Sequence, residues 1–226
     1  MPAFYAHYKF GQMVKNKLPK YQRLLEDYKD LYEIGLHGPD ILFFYHPIIR
    51  HPITQIGVVI HHETGRVFFE HALTQMHRSA AEGDKMQKAL WAYALGVVCH
   101  FALDASCHTY INHFEKTRRI SHHEIEKEFE KYLMKKDGLD PFNWDFRQAL
   151  STNFRWAKPI ALACSQFKFI SQSKAFCGFH VCSSRQARQN VMSFLPECVL
   201  RVYMVRFMVF LPMRETIPDA VTAMKS

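Results

Sequence analysis

Apolar positions recur along the first two thirds of this chain with the spacing of helices. In residues 20–34, KYQRLLEDYKDLYEI, the positions Tyr21, Leu24, Leu25, Tyr28, Leu31 and Tyr32 fall on one stripe. That spacing predicts an amphipathic helix, which Gly35 can cap. Gly38-Pro39 then interrupts the pattern, and Pro47 and Pro52 predict an irregular course over residues 35–56. Residues 66–82 read as a further helix. From about Asp84 to Asn112, the set Met86, Leu90, Tyr93, Ala94, Val97, Val98 and Phe101 predicts a long helix, apolar on nearly all sides towards its end. A helix of that kind is buried. Ser121-His122-His123-Glu124 has the form of a capping box, with a serine cap and a glutamate three residues on, and predicts a helix from there to about Lys136. Gly138 and Pro141 end it. Beyond residue 150 the periodicity fades into mixed helix and loop.

The long buried helix carries polar residues where its pattern should exclude them. His100, Asp104 and His108 are spaced by four, so they share one helix face. His122 and Glu126 repeat that spacing on the next helix, whereas His123 is followed at the same distance by Lys127. A carboxylate inside an apolar helix is heavily penalised unless it is paired or bound to a cation. One reading is a hydrogen-bonded network internal to the fold. The other is a metal site, because imidazole and carboxylate are ligands of zinc and similar divalent cations. The five residues together favour the metal.

Further candidates lie upstream. Asp40 follows Gly38-Pro39 at the head of an apolar loop (Ile41 to Tyr45), where a turn can aim its carboxylate inwards or close an Asx turn. His61 and His62 follow the apolar run Ile56 to Ile60, so at least one points to the interior. His7 sits among Phe4, Tyr5, Tyr8 and Phe10. His37, His46, His51, His71, His77 and His113 read as surface or loop residues.

Composition bounds the rest. The chain has 226 residues, 48% hydrophobic and 22% charged, as a folded protein does. The net charge of +8 is unevenly spread: residues 1–150 hold 19 Lys/Arg against 18 Asp/Glu, and residues 151–226 hold 10 against 3. Histidine is concentrated before residue 150 and cysteine after it. This divides the chain into a helical part, residues 1–150, and a basic, cysteine-containing segment, residues 151–226. The basic segment reads first as a solvated positive surface, with peripheral contact to an anionic membrane or to nucleic acid as the alternatives. The first twenty residues lack the apolar core of a secretory signal, and no uninterrupted apolar run is long enough to span a bilayer, so the expected location is cytoplasmic. The six cysteines then read as reduced thiols, with Cys164, Cys177 and Cys182 a weak alternative metal set.

The order His7, GLHGPD, IHHETG, HFALDASCH and HHEIE resembles the bacterial zinc-dependent phospholipase C family over roughly residues 1–135. Single-strand-specific zinc nucleases share that family's fold. The resemblance implies an all-α domain with up to three zinc ions in a cleft. It implies one zinc on His61, His100 and Asp104, and a second on His7 with Asp104 bridging the two. The third would lie on His108, His122 and Glu126. Asp40 would be the cleft carboxylate that contacts metal or acts as general base. The implied activity is phosphodiester hydrolysis by metal-activated water, with phospholipid as the default substrate. A cytosolic nuclease-like or small-phosphoester hydrolase remains the enzymatic alternative, and a non-catalytic metal-binding helical protein the other.

Overall fold

The structure is a computed structural model and describes residues 4–44, 52–62, 65–80, 83–145, 148–149 and 157–164. All regular elements among these residues are helical. In chain order they are α1 (Phe4–Asn16), α2 (Gln22–Asp27), α3 (Lys29–Leu36), α4 (Pro52–His62), α5 (Gly65–Ser79), α6 (Asp84–Arg118), α7 (His122–Lys136) and α8 (Ala157–Ala163), with 3-10 segments at Pro19–Tyr21 and Gly38–Phe44. The all-α expectation holds.

α6 is the axis. It runs for 35 residues, and α1, α3, α5, α7 and α8 all pack on it. By length and composition it could cross a membrane, but 72% of its most apolar window is buried inside the fold. The closest helix pair is α3 on α6, made possible by two glycines that face each other. A Cβ on Gly96 would lie 2.3 Å from the Tyr32 carbonyl oxygen, and one on Gly35 would lie 2.4 Å from that of Tyr93. Leu31, Tyr32, Ile34 and Leu36 of α3 are buried in this seam. α7 follows the ordinary amphipathic rule. Ile125, Phe129 and Leu133, four apart, are buried, each contributing roughly 1.5–3 kcal/mol by leaving water. The Ser121 hydroxyl accepts the Glu124 amide N–H at 3.3 Å, as the capping box requires.

Three boundaries differ from the sequence expectation. The stripe over residues 20–34 is broken at Tyr28, whose φ of −120° and ψ of 36° leave the helical region, so two short helices stand where one was expected. Gly35 is not a cap. It lies inside α3, held there by the contact with α6, and His37 ends the helix. Within the span 35–56, the described residues 38–44 form a 3-10 segment and those from Pro52 onward form α4, where the missing N–H of a first-turn proline costs nothing.

His37 was expected at the surface and is instead 1% exposed. Its Nε2 bonds the Ala149 carbonyl at 2.8 Å, and its ring packs against Phe4. Burial pushes its pKa down to about 4 despite the backbone bond, so the folded protein holds it neutral. The unfolded chain, with an ordinary pKa near 6.5, takes up a proton first as pH falls. Stability from this group is therefore complete above pH 6.5 and is lost as pH falls from there to 4. The loss should reach about 3 kcal/mol. Urea unfolding of wild type and His37→Gln at pH 7 and pH 4.5 checks this: the acid-induced loss should be smaller in the variant. Equal losses would rule out His37 as the titrating group.

His71 also departs from expectation. It is half-buried on α5, and its Nε2 meets the Leu162 carbonyl at 3.2 Å, joining α5 to α8. His77 and His113 are exposed as expected. His46, His51, Cys177 and Cys182 lie outside the described residues. Cys99, Cys107 and Cys164 form no disulfide among the described residues.

Candidate metal centre

Four-residue spacing on α6 does what the sequence predicts: His100, Asp104 and His108 form a ridge. The Asp104 carboxylate faces both neighbours, with Oδ2 3.3 Å from His100 Nε2 and Oδ1 3.9 Å from His108 Nε2. α1 crosses this ridge and adds His7, whose Nε2 is 3.3 Å from Asp104 Oδ1. The His7 and His100 rings stack with centroids 4.3 Å apart. Asp104 therefore stands among three imidazoles, its side chain 20% exposed.

The 3-10 segment after α3 and the end of α4 supply the second part. Asp40 is buried, its Oδ1 2.7 Å from His61 Nε2 and its Oδ2 4.0 Å from His100 Nε2. The turn that brings Asp40 here needs glycine at position 38 for two reasons. Gly38 has φ +49°, and a Cβ there would come 2.5 Å from the His100 ring. His61, rather than His62, is the histidine shown facing the cluster; the side chain of His62 lies outside the described set.

The third part lies on α7. His122 Nε2 and Glu126 Oε1 are 3.0 Å apart across one turn, and His108 Nε2 reaches the same oxygen at 3.8 Å. All eight sequence candidates thus converge. Among the described residues they form three sets whose ligand atoms lie within 4.8 Å of one another: His7, His100 and Asp104; Asp40, His61 and His100; and His108, His122 and Glu126. One detail differs from the expected grouping. His61 is closest to Asp40, and His100 is common to two sets.

The rings are held by their other nitrogens. His61 Nδ1 bonds the Gly57 carbonyl at 2.7 Å, and His100 Nδ1 bonds that of Leu36 at 3.2 Å. A carbonyl only accepts, so each Nδ1 carries the hydrogen and each Nε2 is left facing the carboxylates. Glu115, on the last turns of α6, lies 3.9 Å from His122 Nδ1.

Electrostatics express the crowding. Burial works against a charged His100, but Asp104 and Asp40 outweigh it and raise its pKa to about 9. Burial likewise opposes charge on Asp104, yet His100 and His7 hold it well below the usual carboxylate range. His61 is raised by Asp40 against its own burial, and His108 is raised chiefly by the neighbouring Glu126 carboxylate. With protons alone, this cluster is a set of mutually dependent ion pairs.

Among the described residues, two buried side-chain atoms remain unsatisfied. His7 Nδ1 and His100 Nε2 are buried with no hydrogen-bond partner, because the 3.3 Å approach of Asp104 to His100 lacks hydrogen-bonding geometry. Buried orphans of this kind need an explanation. Converging imidazole Nε2 atoms and carboxylate oxygens, with each Nδ1 of His61 and His100 tied to a carbonyl, are the donor set of zinc with its outer hydrogen bonds. The residues fit the metal.

Sequence reading missed His37 and Glu115, whose partners in the fold, Ala149 and His122, lie on other segments, and Glu130. The last had a signal, since it continues the spacing of His122 and Glu126 by another four residues.

A family model described as zinc dependent phospholipase C matches residues 6–174. The match extends past the 1–135 span of the motif resemblance and includes α8. No curated protein and no solved structure matches the chain significantly. With three quarters of its length matched and its histidines and carboxylates gathered in one place, the chain belongs to the zinc-dependent phospholipase C family and is a phosphoric diester hydrolase acting on phospholipid.

Proposed function

We propose that the eight clustered residues are the zinc-holding and catalytic set of this phospholipase C, with Asp104 shared between two ions. The single observation that carries this reading is the position of Asp104, whose two carboxylate oxygens face different histidines, Oδ1 to His7 and Oδ2 to His100. A carboxylate has two oxygens to divide between ions. His100 has only Nε2 to give, since its Nδ1 is engaged by Leu36. One zinc is therefore assigned to His61, His100 and Asp104 beside Asp40, a second to His7 and Asp104, and the third to His108, His122 and Glu126. Bound there, zinc supplies a Lewis acid for the phosphoryl oxygens and lowers the pKa of water towards roughly 7.

Each protein group then has a task. His61 and His100 keep Nε2 aimed at the cluster through their carbonyl bonds. Gly38 leaves room for the His100 ring, so the turn can carry Asp40 to within reach of both histidines. Asp40 is the carboxylate assigned to orient the attacking water and take its proton, the task a positioned general base performs for about 10²–10⁴-fold in rate. The phosphodiester is cleaved with no nucleophilic side chain. Cys107, near the cluster, is not needed.

Asp40→Asn tests the assignment, because the amide keeps the side chain's shape and loses its basicity. Turnover of phosphatidylcholine in mixed micelles should fall by about 10²–10⁴-fold while zinc content stays at the wild-type value. Turnover within threefold of wild type would remove Asp40 from the chemistry.

A further inference from the structure

α1 begins without an acidic residue in its first turn, where helix N–H groups lack partners within the helix. One of these donors, the backbone N–H of Tyr5, is satisfied from a distant element: Glu130 Oε1 on α7 accepts it at 2.5 Å. Glu130 lies one turn beyond Glu126 and two beyond His122, on the same ridge of α7. Burial raises its carboxyl to about 7, against the effect of the Tyr5 bond, so this acid has a desolvation cost that a surface residue would not carry. A second grip lies lower on the same pair of helices. Asp137, the C-cap of α7, accepts from the Tyr5 hydroxyl at 2.5 Å and pairs with Lys9 at 2.6 Å.

Tyr5 and Lys9 are one turn apart on α1, and His7 projects from the helix about 160° away from both. α7 thus holds one side of α1 while His7 meets Asp104 on the other.

We propose that Glu130 is a positioning residue for the His7 zinc: by accepting the Tyr5 amide N–H it fixes the first turn of α1 on α7 and sets the rotation that keeps His7 against Asp104. This rests on the assignment of a zinc to His7 and Asp104. It also means that α7 holds one ion directly, through His122 and Glu126, and a second indirectly, through Glu130.

The test compares zinc per chain, by atomic absorption, in folded wild type, His7→Ala, Glu130→Ala, Glu130→Gln and the double variant His7→Ala/Glu130→Ala. Far-UV circular dichroism and thermal unfolding of chelated samples report the fold separately from the metal. Glu130→Ala should lose about one equivalent, as His7→Ala does, and the double variant should lose no more than His7→Ala alone, since both act on one ion. Glu130→Gln should retain that equivalent, because its amide oxygen still accepts the Tyr5 N–H. Full zinc in Glu130→Ala would overturn the proposal, and so would equal losses in Gln and Ala. Should Glu130→Ala fail to fold, Glu130→Asp replaces it: its side chain is one methylene shorter and withdraws from Tyr5, so retention of all zinc there overturns the proposal too. A wild type without zinc would instead overturn the reading of the site, which keeps the two failures distinct.

Discussion

Asp104→Ala is expected to lose at least one equivalent of zinc per chain and to lower phospholipid turnover by about 10³-fold or more. Its carboxylate stands among three imidazoles of the cluster. His7, His100 and His108 each place Nε2 within 4 Å of its carboxylate, from two different helices. Removing it takes away a ligand assigned to two ions and leaves the stacked, buried rings of His7 and His100 with Asp40, 4.0 Å from His100 Nε2, as the nearby carboxylate. Loss of several kcal/mol of charge stabilisation converts to three decades of rate at about 1.4 kcal/mol per decade. The measurement is zinc content beside turnover on the same preparation. A variant that loses less than one equivalent would refute the bridging role.

Gly96→Ala should cause the largest loss of stability of any single methyl group added to this fold. In an exposed helix, alanine for glycine stabilises by about 1 kcal/mol. Here the new Cβ would sit 2.3 Å from the Tyr32 carbonyl oxygen and 2.8 Å from Gly35 Cα, both backbone atoms that cannot rotate away. α3 must separate from α6, and overpacking of a tight interior costs about 1–3 kcal/mol, occasionally more. The net expectation is a destabilisation of about 2 kcal/mol, lowering Tm by roughly 4–8 °C in a chain of this size. The damage should also reach the site. Leu36, whose carbonyl holds His100, is the last residue of α3, and the turn carrying Asp40 comes directly after it. Thermal unfolding of the metal-free protein checks the first effect, and a variant at least as stable as wild type would contradict the close α3–α6 contact.

These expectations show which parts of the molecule could be read without coordinates. The ridge on α6 was legible because a period of four is a local property, and the same holds for His122 with Glu126 and for the Ser121 cap. What depended on distant packing was hidden. Gly35 looks like a helix cap in sequence and is in fact a contact surface, because its partner, Gly96, lies on another helix. His37 has carboxylates at helical spacing, Glu33 and Asp40, but its buried Nε2 bonds the Ala149 carbonyl, 112 residues away. The choice between His61 and His62 required the rotational phase of α4, which prolines on its N-terminal side obscure. Glu130 was half legible: its spacing from Glu126 is in the sequence, but its acceptor role depends on where α1 begins.

The central claim is that these convergent side chains hold zinc and use it. The most direct measurement is a zinc titration of the chelated wild-type protein, following bound metal and phosphatidylcholine turnover together. The prediction is saturation at about three equivalents, one for each set of ligands, with turnover absent before metal is added and recovered as it loads. A folded protein that binds no zinc, or turnover that chelation leaves unchanged, would contradict it.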